Sequence, residues 1–317
     1  MIAARDPDFR SFGLSLGRTA WRIEAARSVE DWAREFARIL SLDDRAAGRE
    51  PEGDGDRWLM YLLPDPGGTE ELPETVFQTD EGRGLPRAGW TSNRLQHLKM
   101  WRHPEARAVL LELKYGRQAE ERILTMSEAC LPFFLRAIDS GGLPLHAALL
   151  CRDGGAVVLA APGGTGKSTC ARRVPPPWMS MGDDLVLVDR KRAHGSDYVV
   201  HPFPTWSDYV FKRSEGAWEA GAQCTLRAVF FLSRAVEDRV IPLGKGEAAI
   251  SLCHSALQIL AVPLLKLPPP ETRRLRSAVF DNACLMARNL SVYRLELTLA
   301  GAFWKEIESV FELSPEE

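Results

Sequence analysis

The sequence predicts an α/β fold for the larger C-terminal part of the chain, preceded by a smaller α+β domain. Beyond residue 140, apolar segments of strand length alternate with segments of helical periodicity, which is the pattern of an α/β domain. One of these strands, residues 156–161, leads directly into a glycine-rich turn and the start of a helix. Before residue 125 the strands are separated by long polar stretches instead. We therefore expect two domains, residues 1–125 and 126–317.

The N-terminal domain shows both kinds of hydrophobic periodicity. Residues 29–40 repeat apolar side chains at helical spacing, with Glu30 and Asp31 in the first turn. We interpret most of its tryptophans as core residues, because buried aromatic rings contribute strongly to packing, and a binding face is the alternative. Strands are predicted for residues 10–26 (one or two strands), 58–63, 95–101 and 108–113.

The segment between the domains is expected to be a helix followed by a hairpin. Residues 127–140 have an apolar face, Ser127 suits the N-cap, and two glycines end the helix. An apolar strand, residues 143–151, follows and carries His146. Asp153 begins an Asp-Gly-Gly turn, which is a strong signal for a hairpin with the next strand.

The glycine-rich turn has the composition of a phosphate-binding P-loop. Its backbone N–H groups would surround phosphate oxygens, and the following helix would add its positive end. Lys167 would neutralise the terminal phosphates, and the Ser168 hydroxyl would hold Mg²⁺. Ala161 stands where the usual pattern has glycine. The residues predicted to bind the phosphates of a nucleotide are Pro162, Gly163, Gly164, Thr165, Gly166, Lys167, Ser168 and Thr169.

Two adjacent carboxylates, Asp183 and Asp184, precede a second buried strand downstream of the loop. In phosphoryl transfer one carboxylate can hold Mg²⁺ while another takes the proton of the attacking hydroxyl. Taken alone the pair would equally suit a solvated turn. With a P-loop upstream we expect a metal site formed by Ser168, Asp183 and Asp184.

The combination of His146, the 161–168 loop and the Gly182-Asp183-Asp184 segment resembles the catalytic domain of bacterial HPr kinase/phosphorylase. The resemblance covers roughly residues 143–260. It implies a P-loop fold related to phosphoenolpyruvate carboxykinase and a Mg-ATP-dependent kinase acting on a serine hydroxyl. It also implies that Asp183 is the catalytic base, that Asp184 holds metal or orients groups, and that Lys167 and His146 act at the transferred phosphoryl group.

Two further residues enter as possible contacts to substrate or phosphate. Lys245 lies in residues 240–248, which resemble the basic loop of that family, although a surface lysine in a turn is an equal alternative. His201 begins a His-Pro-Phe-Pro stretch that replaces the glutamate-containing signature of the family. Without the resemblance, His146 would be interpreted as a core histidine.

The differences between this sequence and HPr kinases change the substrate that we expect. The N-terminal domain does not resemble that of HPr kinases. The chain is more similar to the HPr-kinase-related proteins encoded beside peptide natural-product genes, including lasso-peptide precursor kinases and kinase-like members of SynChlorMet cassettes. This similarity implies a ribosomally made precursor peptide as acceptor. Alternatives are a small-molecule kinase acting on free serine or a sugar, and a nucleotide-binding regulatory protein that transfers nothing.

Composition excludes some classes of binding partner and indicates the cellular compartment. A formal net charge of -3 gives no reason to expect affinity for nucleic acid or anionic membranes. We expect no apolar run of membrane-span length and no signal peptide at the start. The six cysteines are scattered without a C-x-x-C pair, so a zinc site is not expected. We expect a cytoplasmic protein, and both a monomer and a homo-oligomer stay open.

The remaining elements complete the α/β pattern. A strand is predicted over residues 227–232 and another over 292–297. Helices are predicted over residues 247–260, ending before Pro263, and over 271–290 and 303–311.

Overall fold

The computed structural model describes residues 9–43, 56–67, 70–114, 118–162, 164–191, 197–211 and 216–311. The chain forms two compact units, Met1–Pro132 with Trp206–Ala217, and Phe133–Thr205 with Trp218–Glu317. Each unit combines helices with a mixed β-sheet, which agrees with the α/β class predicted for the larger part of the chain. The expected domain boundary followed residue 125, whereas the first unit continues to Pro132 and also takes in a later segment.

The first unit is built on a mixed sheet. Within its described residues six strands pair in the order β1-β2-β3-β6-β5-β4. The central pairs β2–β3 and β3–β6 are parallel, and the outer pairs are antiparallel. The strands are β1 Phe9–Leu16, β2 Thr19–Ala26, β3 Asp56–Pro64, β4 Thr91–Arg94, β5 Leu98–Arg102 and β6 Ala108–Leu113. Strand β4 was not predicted, because its sequence Thr-Ser-Asn-Arg carries no apolar side chain.

The apolar face of helix α1, Glu30–Leu40, is completely buried, as its periodicity predicted. Trp32 and Phe36 are fully buried and their rings stack with centroids 5.2 Å apart. Ser41 adopts a left-handed conformation (φ 50°) and ends the helix. Short 3₁₀ helices span Arg27–Val29, Glu74–Gln78 and Gly82–Gly84.

One face of this first sheet carries buried charges. Tyr61, Leu63 and Leu110 pack there against Val76 and other side chains of the 72–90 segment. Pairing puts further polar residues on the same face, since directly opposed residues of a sheet share a face. Buried polar residues of this kind are Glu24, Lys99 and Glu112.

The prediction of one helix starting at Ser127 was wrong. Two helices occupy this region, α2 over Ala119–Ala129 and α3 over Leu131–Asp139, so Ser127 lies inside α2. The cause is Pro132, whose ring would clash with the carbonyl group four residues earlier in a continuous helix. The end of α3 follows the prediction: Gly141 has φ 93°, and the Gly142 N–H donates to the Ala137 carbonyl at 2.7 Å.

The second unit contains a larger sheet with the order β10-β8-β9-β13-β12-β11-β7 along its main path, and β15 and β14 pair beside β13. Strand β13 is parallel to both β9 and β15. The described strands are β7 Leu143–Leu145, β8 Ala147–Arg152, β9 Gly155–Ala160, β10 Met179–Gly182, β11 Leu185–Arg190, β12 Tyr198–Phe203, β13 Cys224–Arg234, β14 Arg239–Pro242 and β15 Ser291–Leu297. The helices are α4 Lys167–Arg173, α5 Trp206–Val210 (which groups with the first unit), α6 Lys245–Lys266, α7 Pro269–Asn289 and α8 Trp304–Phe311.

The strand expected over residues 143–151 is interrupted at His146. Strand β7 pairs with β11 at one end of the sheet order, and β8 pairs with β9 and β10 near the other end. His146 is the single residue between β7 and β8. A one-residue connection between distant positions in the order requires the sheet to curl on itself. The Ala147 N–H closes the gap by donating to the Asp184 carbonyl at 3.1 Å.

The β8–β9 hairpin is formed as predicted. Arg152 opposes Gly155, so Asp153 and Gly154 make a two-residue turn. Both have positive φ, 51° and 76°. This is the backbone that a tight hairpin turn requires and that an Asp-Gly pair tolerates well.

Helix α6 corrects two expectations. It continues through Pro263 to Lys266 instead of ending at residue 260. It is also long and apolar enough to cross a membrane by length and composition, which we had not expected of any segment. A core helix of a soluble protein passes the same test, so this finding is weak evidence of a membrane span.

Replacing Trp32 by alanine tests the packing of α1. We expect Trp32→Ala to lower the free energy of unfolding by about 3–5 kcal/mol, because the cavity left by a fully buried indole cannot be refilled. Urea unfolding followed by circular dichroism measures this. The neighbouring exposed substitution Asp31→Ala is the control and should cost about 1 kcal/mol or less. Equal effects of the two changes would contradict the described packing.

Candidate functional site

The glycine-rich turn connects the end of β9 to the start of α4. Gly164 and Gly166 have φ of 76° and 115°, conformations that side-chain-bearing residues rarely adopt. The Thr165 N–H donates to the Pro162 carbonyl at 3.3 Å. Gly163, one of the predicted phosphate-binding residues, lies outside the described residues. Pro162, Gly164 and Thr169 are exposed, so this part of the turn is open to a ligand.

Lys167 is the buried cation of the site. Its side chain is almost enclosed, with 7% of the residue exposed. The Nζ group donates to the Ala161 carbonyl at 2.8 Å and lies 2.8 Å from the Nε2 atom of His146. Burial lowers the pKa of Lys167, and the carboxylates of Asp184 and Asp183 partly oppose that effect.

His146 links this lysine to the aspartate pair. Its Nδ1 atom lies 2.9 Å from the Asp184 carbonyl oxygen and 3.2 Å from Oδ1 of the same residue. Because a carbonyl oxygen only accepts, Nδ1 carries the hydrogen, and Nε2 accepts from the Lys167 ammonium group. The backbone N–H of His146 donates to the Ser255 hydroxyl at 3.0 Å. Asp184, His146 and Lys167 therefore form one hydrogen-bonded chain.

Asp183 is held by a threonine. The Thr205 hydroxyl donates to Oδ1 of Asp183 at 2.9 Å, and Thr205 itself is buried. Asp183 and Asp184 lie between β10, which pairs with β8, and β11, which pairs with β7 and β12. Ser168 lies in the first turn of α4, half-buried, next to Lys167.

The two possible substrate contacts lie outside this hydrogen-bonded group. The His201 ring is completely buried, with Nδ1 3.2 Å from the Ala220 carbonyl oxygen. Burial lowers the pKa of His201 to about 4. Lys245 is exposed at the first residue of α6, and its Nζ donates to the Arg288 carbonyl at 3.4 Å. The structure thus makes His201 a core residue of the second unit and Lys245 a surface residue.

Three residues of the site were missed by sequence reasoning. Thr205 and Ser255 hold Asp183 and His146, as described above. Arg234 donates to the Gly164 carbonyl at 2.8 Å from the end of β13. The position of Arg234 has a detectable signal, because β13 is parallel to β9 and the carboxyl ends of parallel strands meet at one edge. Ser255 has no such signal, since it lies in a mostly apolar helix.

A small cavity lies beside the turn. It has a volume of about 180 Å³ and is lined by Ala161, Pro162, Phe231 and a polar stripe of α6. The stripe consists of Ser251, His254, Ser255 and Gln258, whose spacing puts them on one helix face. Cavity and turn together offer space for a small group next to Lys167.

Within the described residues, no group of three or more His, Cys, Asp or Glu side chains is arranged to hold a metal ion. Mg²⁺ does not require such a cluster, because it is usually bound through one or two carboxylates and completes its shell with phosphate, water and other oxygen donors. Ser168, Asp183 and Asp184 are the oxygen donors that fit this mode.

A family model described as "SynChlorMet cassette protein ScmC" matches residues 109–312, well over half of the chain. The matched range includes all residues of the site described above. A comparison with curated proteins found no match.

The effect of the Asp184 carboxylate on the pKa of Lys167 can be measured without any ligand. We expect Asp184→Asn to lower the pKa of Lys167 further, because the amide removes the larger of the two favourable charges. Asp183→Asn should lower it less. An NMR titration of isotope-labelled lysine, with the signal assigned by Lys167→Arg, gives the pKa. Asp153→Asn, in the exposed hairpin turn, is the control and should change nothing. An unchanged pKa in Asp184→Asn would contradict the described chain of contacts.

Proposed function

The chain belongs to the SynChlorMet cassette protein ScmC family, and we propose that it is a Mg-ATP-dependent kinase. It would transfer the γ-phosphoryl group to a serine or threonine hydroxyl of a peptide or small protein, most specifically of a ribosomally made precursor peptide. We place this activity in the cytoplasm. The proposal also includes a relationship to the HPr kinase/phosphorylase family, which rests on His146, the loop sequence and the Gly-Asp-Asp segment.

One observation carries the proposal: Lys167 is buried at the end of a Gly-Thr-Gly-Lys-Ser-Thr turn and linked through His146 to Asp184. Phosphoryl transfer needs a cation for the phosphates and a carboxylate for the acceptor hydroxyl at the same point. Here three segments distant in sequence bring those groups together.

The loop and Lys167 would bind the phosphates. Gly164 and Gly166 allow a backbone path in which N–H groups face an anion. Lys167 already lies in a place where burial disfavours its charge, and phosphate oxygens would relieve that cost. On nucleotide binding, its Nζ would exchange the Ala161 carbonyl for a phosphate oxygen.

The metal site would be completed by the nucleotide. When bound, Mg²⁺ would neutralise charge on the β- and γ-phosphates. In this proposal Ser168 supplies a hydroxyl oxygen, and Asp183 and Asp184 supply carboxylate oxygens directly or through water.

Asp183 is the proposed base. The hydrogen bond from Thr205 fixes Oδ1, and we assign Oδ2 the role of accepting the proton of the substrate hydroxyl. The hydroxyl oxygen then bonds to the γ-phosphorus as the bond to the ADP oxygen breaks. His146 would orient Lys167 from its Nε2 atom, because its Nδ1–H is already engaged by Asp184.

A small-molecule acceptor such as free serine or a sugar is the second candidate. The 180 Å³ cavity beside Ala161 favours it, since a cavity of that size fits a small acceptor. An assay with γ-labelled ATP separates the possibilities. Label on a peptide encoded in the same cassette supports the first function, and label on a metabolite supports the second. Release of free phosphate alone would oppose both and indicate a nucleotide-driven regulatory protein.

Asp183→Asn tests the base. We expect it to lower the transfer rate by about 10²–10⁴-fold, the usual contribution of general base catalysis. Nucleotide affinity should stay within a few-fold, and Asp153→Asn, an identical change in an exposed turn, should leave both quantities unchanged. The rate is measured by transfer of labelled phosphate. Full activity in Asp183→Asn would exclude Asp183 as the base.

Lys167→Ala tests nucleotide binding. We expect the dissociation constant for Mg-ATP to rise about 10- to 100-fold, because a charged hydrogen bond to phosphate is lost. Calorimetry measures the constant. Lys305→Ala, which removes an exposed lysine of α8, is the matched control. If both variants bind Mg-ATP as tightly as the unchanged protein, the turn is not a nucleotide site.

A further inference from the structure

The first unit contains a cavity of about 620 Å³ between its sheet and a covering segment of which residues 64–66 and 71–75 line the cavity. Its walls are largely apolar: Phe9 and Ala26 come from β1 and β2, Leu63 from β3, and Leu72 from the covering segment. The volume lies within the range of about 300–1,000 Å³ that is typical of ligand sites. All residues named here belong to the first unit, whereas the phosphate-binding turn belongs to the second.

A buried carboxylate lines this cavity. Glu112 of β6 has only 1% of its side chain exposed. Neither of its oxygen atoms has a hydrogen-bond donor of normal geometry among the described residues. Burial raises the pKa of Glu112, and nearby Lys99 and Trp101 partly oppose the effect. A buried carboxylate whose neighbouring donors lie outside normal hydrogen-bond geometry is costly, and a ligand that brings well-placed N–H donors would lower that cost.

The nearest cation does not fully compensate Glu112. The Lys99 Nζ atom lies 3.8 Å from Glu112 but 3.4 Å from Glu70, and it also lies 4.3 Å from the centre of the Trp101 ring. Its charge is therefore divided between two carboxylates. The charged residues that line the cavity are Glu71, Glu74, Glu112 and Arg27, and Glu74 already pairs with Arg87 at 3.2 Å. Two carboxylates, Glu71 and Glu112, therefore stand against one cation. The balance favours a positively charged ligand.

We propose that this cavity binds a basic side chain of a peptide, lysine or arginine, flanked by apolar residues. The ammonium or guanidinium group donates to Glu112, and the apolar neighbours pack against Phe9, Leu63 and Leu72. This inference rests on the proposed function only in taking a peptide as the partner. The phosphate-binding turn belongs to the other unit, so its residues can be changed without touching the lining of this cavity.

Fluorescence anisotropy with two labelled peptide pools tests the proposal. Both pools carry leucine, isoleucine, valine and phenylalanine in random order around a central residue, which is arginine in one pool and its uncharged isostere citrulline in the other. We expect the arginine pool to bind at least tenfold more tightly. Glu112→Gln should abolish this preference, and Glu105→Gln, an exposed change on the same chain, should keep it. Equal binding of the pools, or a preference that survives in Glu112→Gln, would overturn the proposal.

Thr75→Trp provides a second variant in case Glu112→Gln does not fold. Thr75 is exposed and lines the cavity, so a large ring there should obstruct it without disturbing the core, and both pools should bind more weakly. Undiminished binding of the pools would place their site elsewhere and overturn the proposal. Saturable binding of butylammonium without binding of either pool would overturn the peptide assignment.

Lys167→Ala separates this inference from the kinase function. We expect it to leave the arginine preference unchanged, because Lys167 belongs to the second unit. Phosphoryl transfer to a peptide without any arginine preference would overturn this inference alone. An arginine preference without any phosphoryl transfer would support this inference and contradict the kinase function alone.

Discussion

The hydrogen bond between Lys167 Nζ and His146 Nε2 is the contact on which the arrangement of the site depends. It joins the start of α4 to the junction of β7 and β8, and His146 in turn joins that junction to Asp184. Each partner lies where a strand or helix begins or ends, so its backbone direction is set by the sheet. The curl of the sheet at His146 is what brings the aspartate pair to the glycine-rich turn.

Each unit buries a charged side chain, and the two side chains differ in their hydrogen-bond partners. In the second unit the buried Lys167 donates to a carbonyl and an imidazole, and two nearby carboxylates favour its charge. In the first unit Glu112 is buried beside Lys99, and no described residue gives it a donor of normal geometry. Buried polar groups are normally hydrogen-bonded. Of these two residues, it is therefore Glu112 that indicates an external partner.

Those parts of the fold that depend on a single local sequence pattern were predictable. The periodicity of α1, the Asp-Gly turn of the β8–β9 hairpin and the glycine stop of α3 all appear where the sequence placed them. The errors have a common cause. The break at His146, the continuation of α6 through Pro263 and the pairing of β4 all depend on neighbouring segments, which no local pattern reports.

For the site, the sequence by itself determined the chemical groups: a glycine-rich turn ending in Lys167 and Ser168, one histidine, and two adjacent aspartates. These residue types and spacings are local properties of the chain. Only the tertiary structure decided that Asp184 reaches Lys167 through His146, that Thr205 holds Asp183, and that His201 is buried in the core. Those contacts join residues far apart in sequence, and the pairing of the curled sheet alone sets the distances between them.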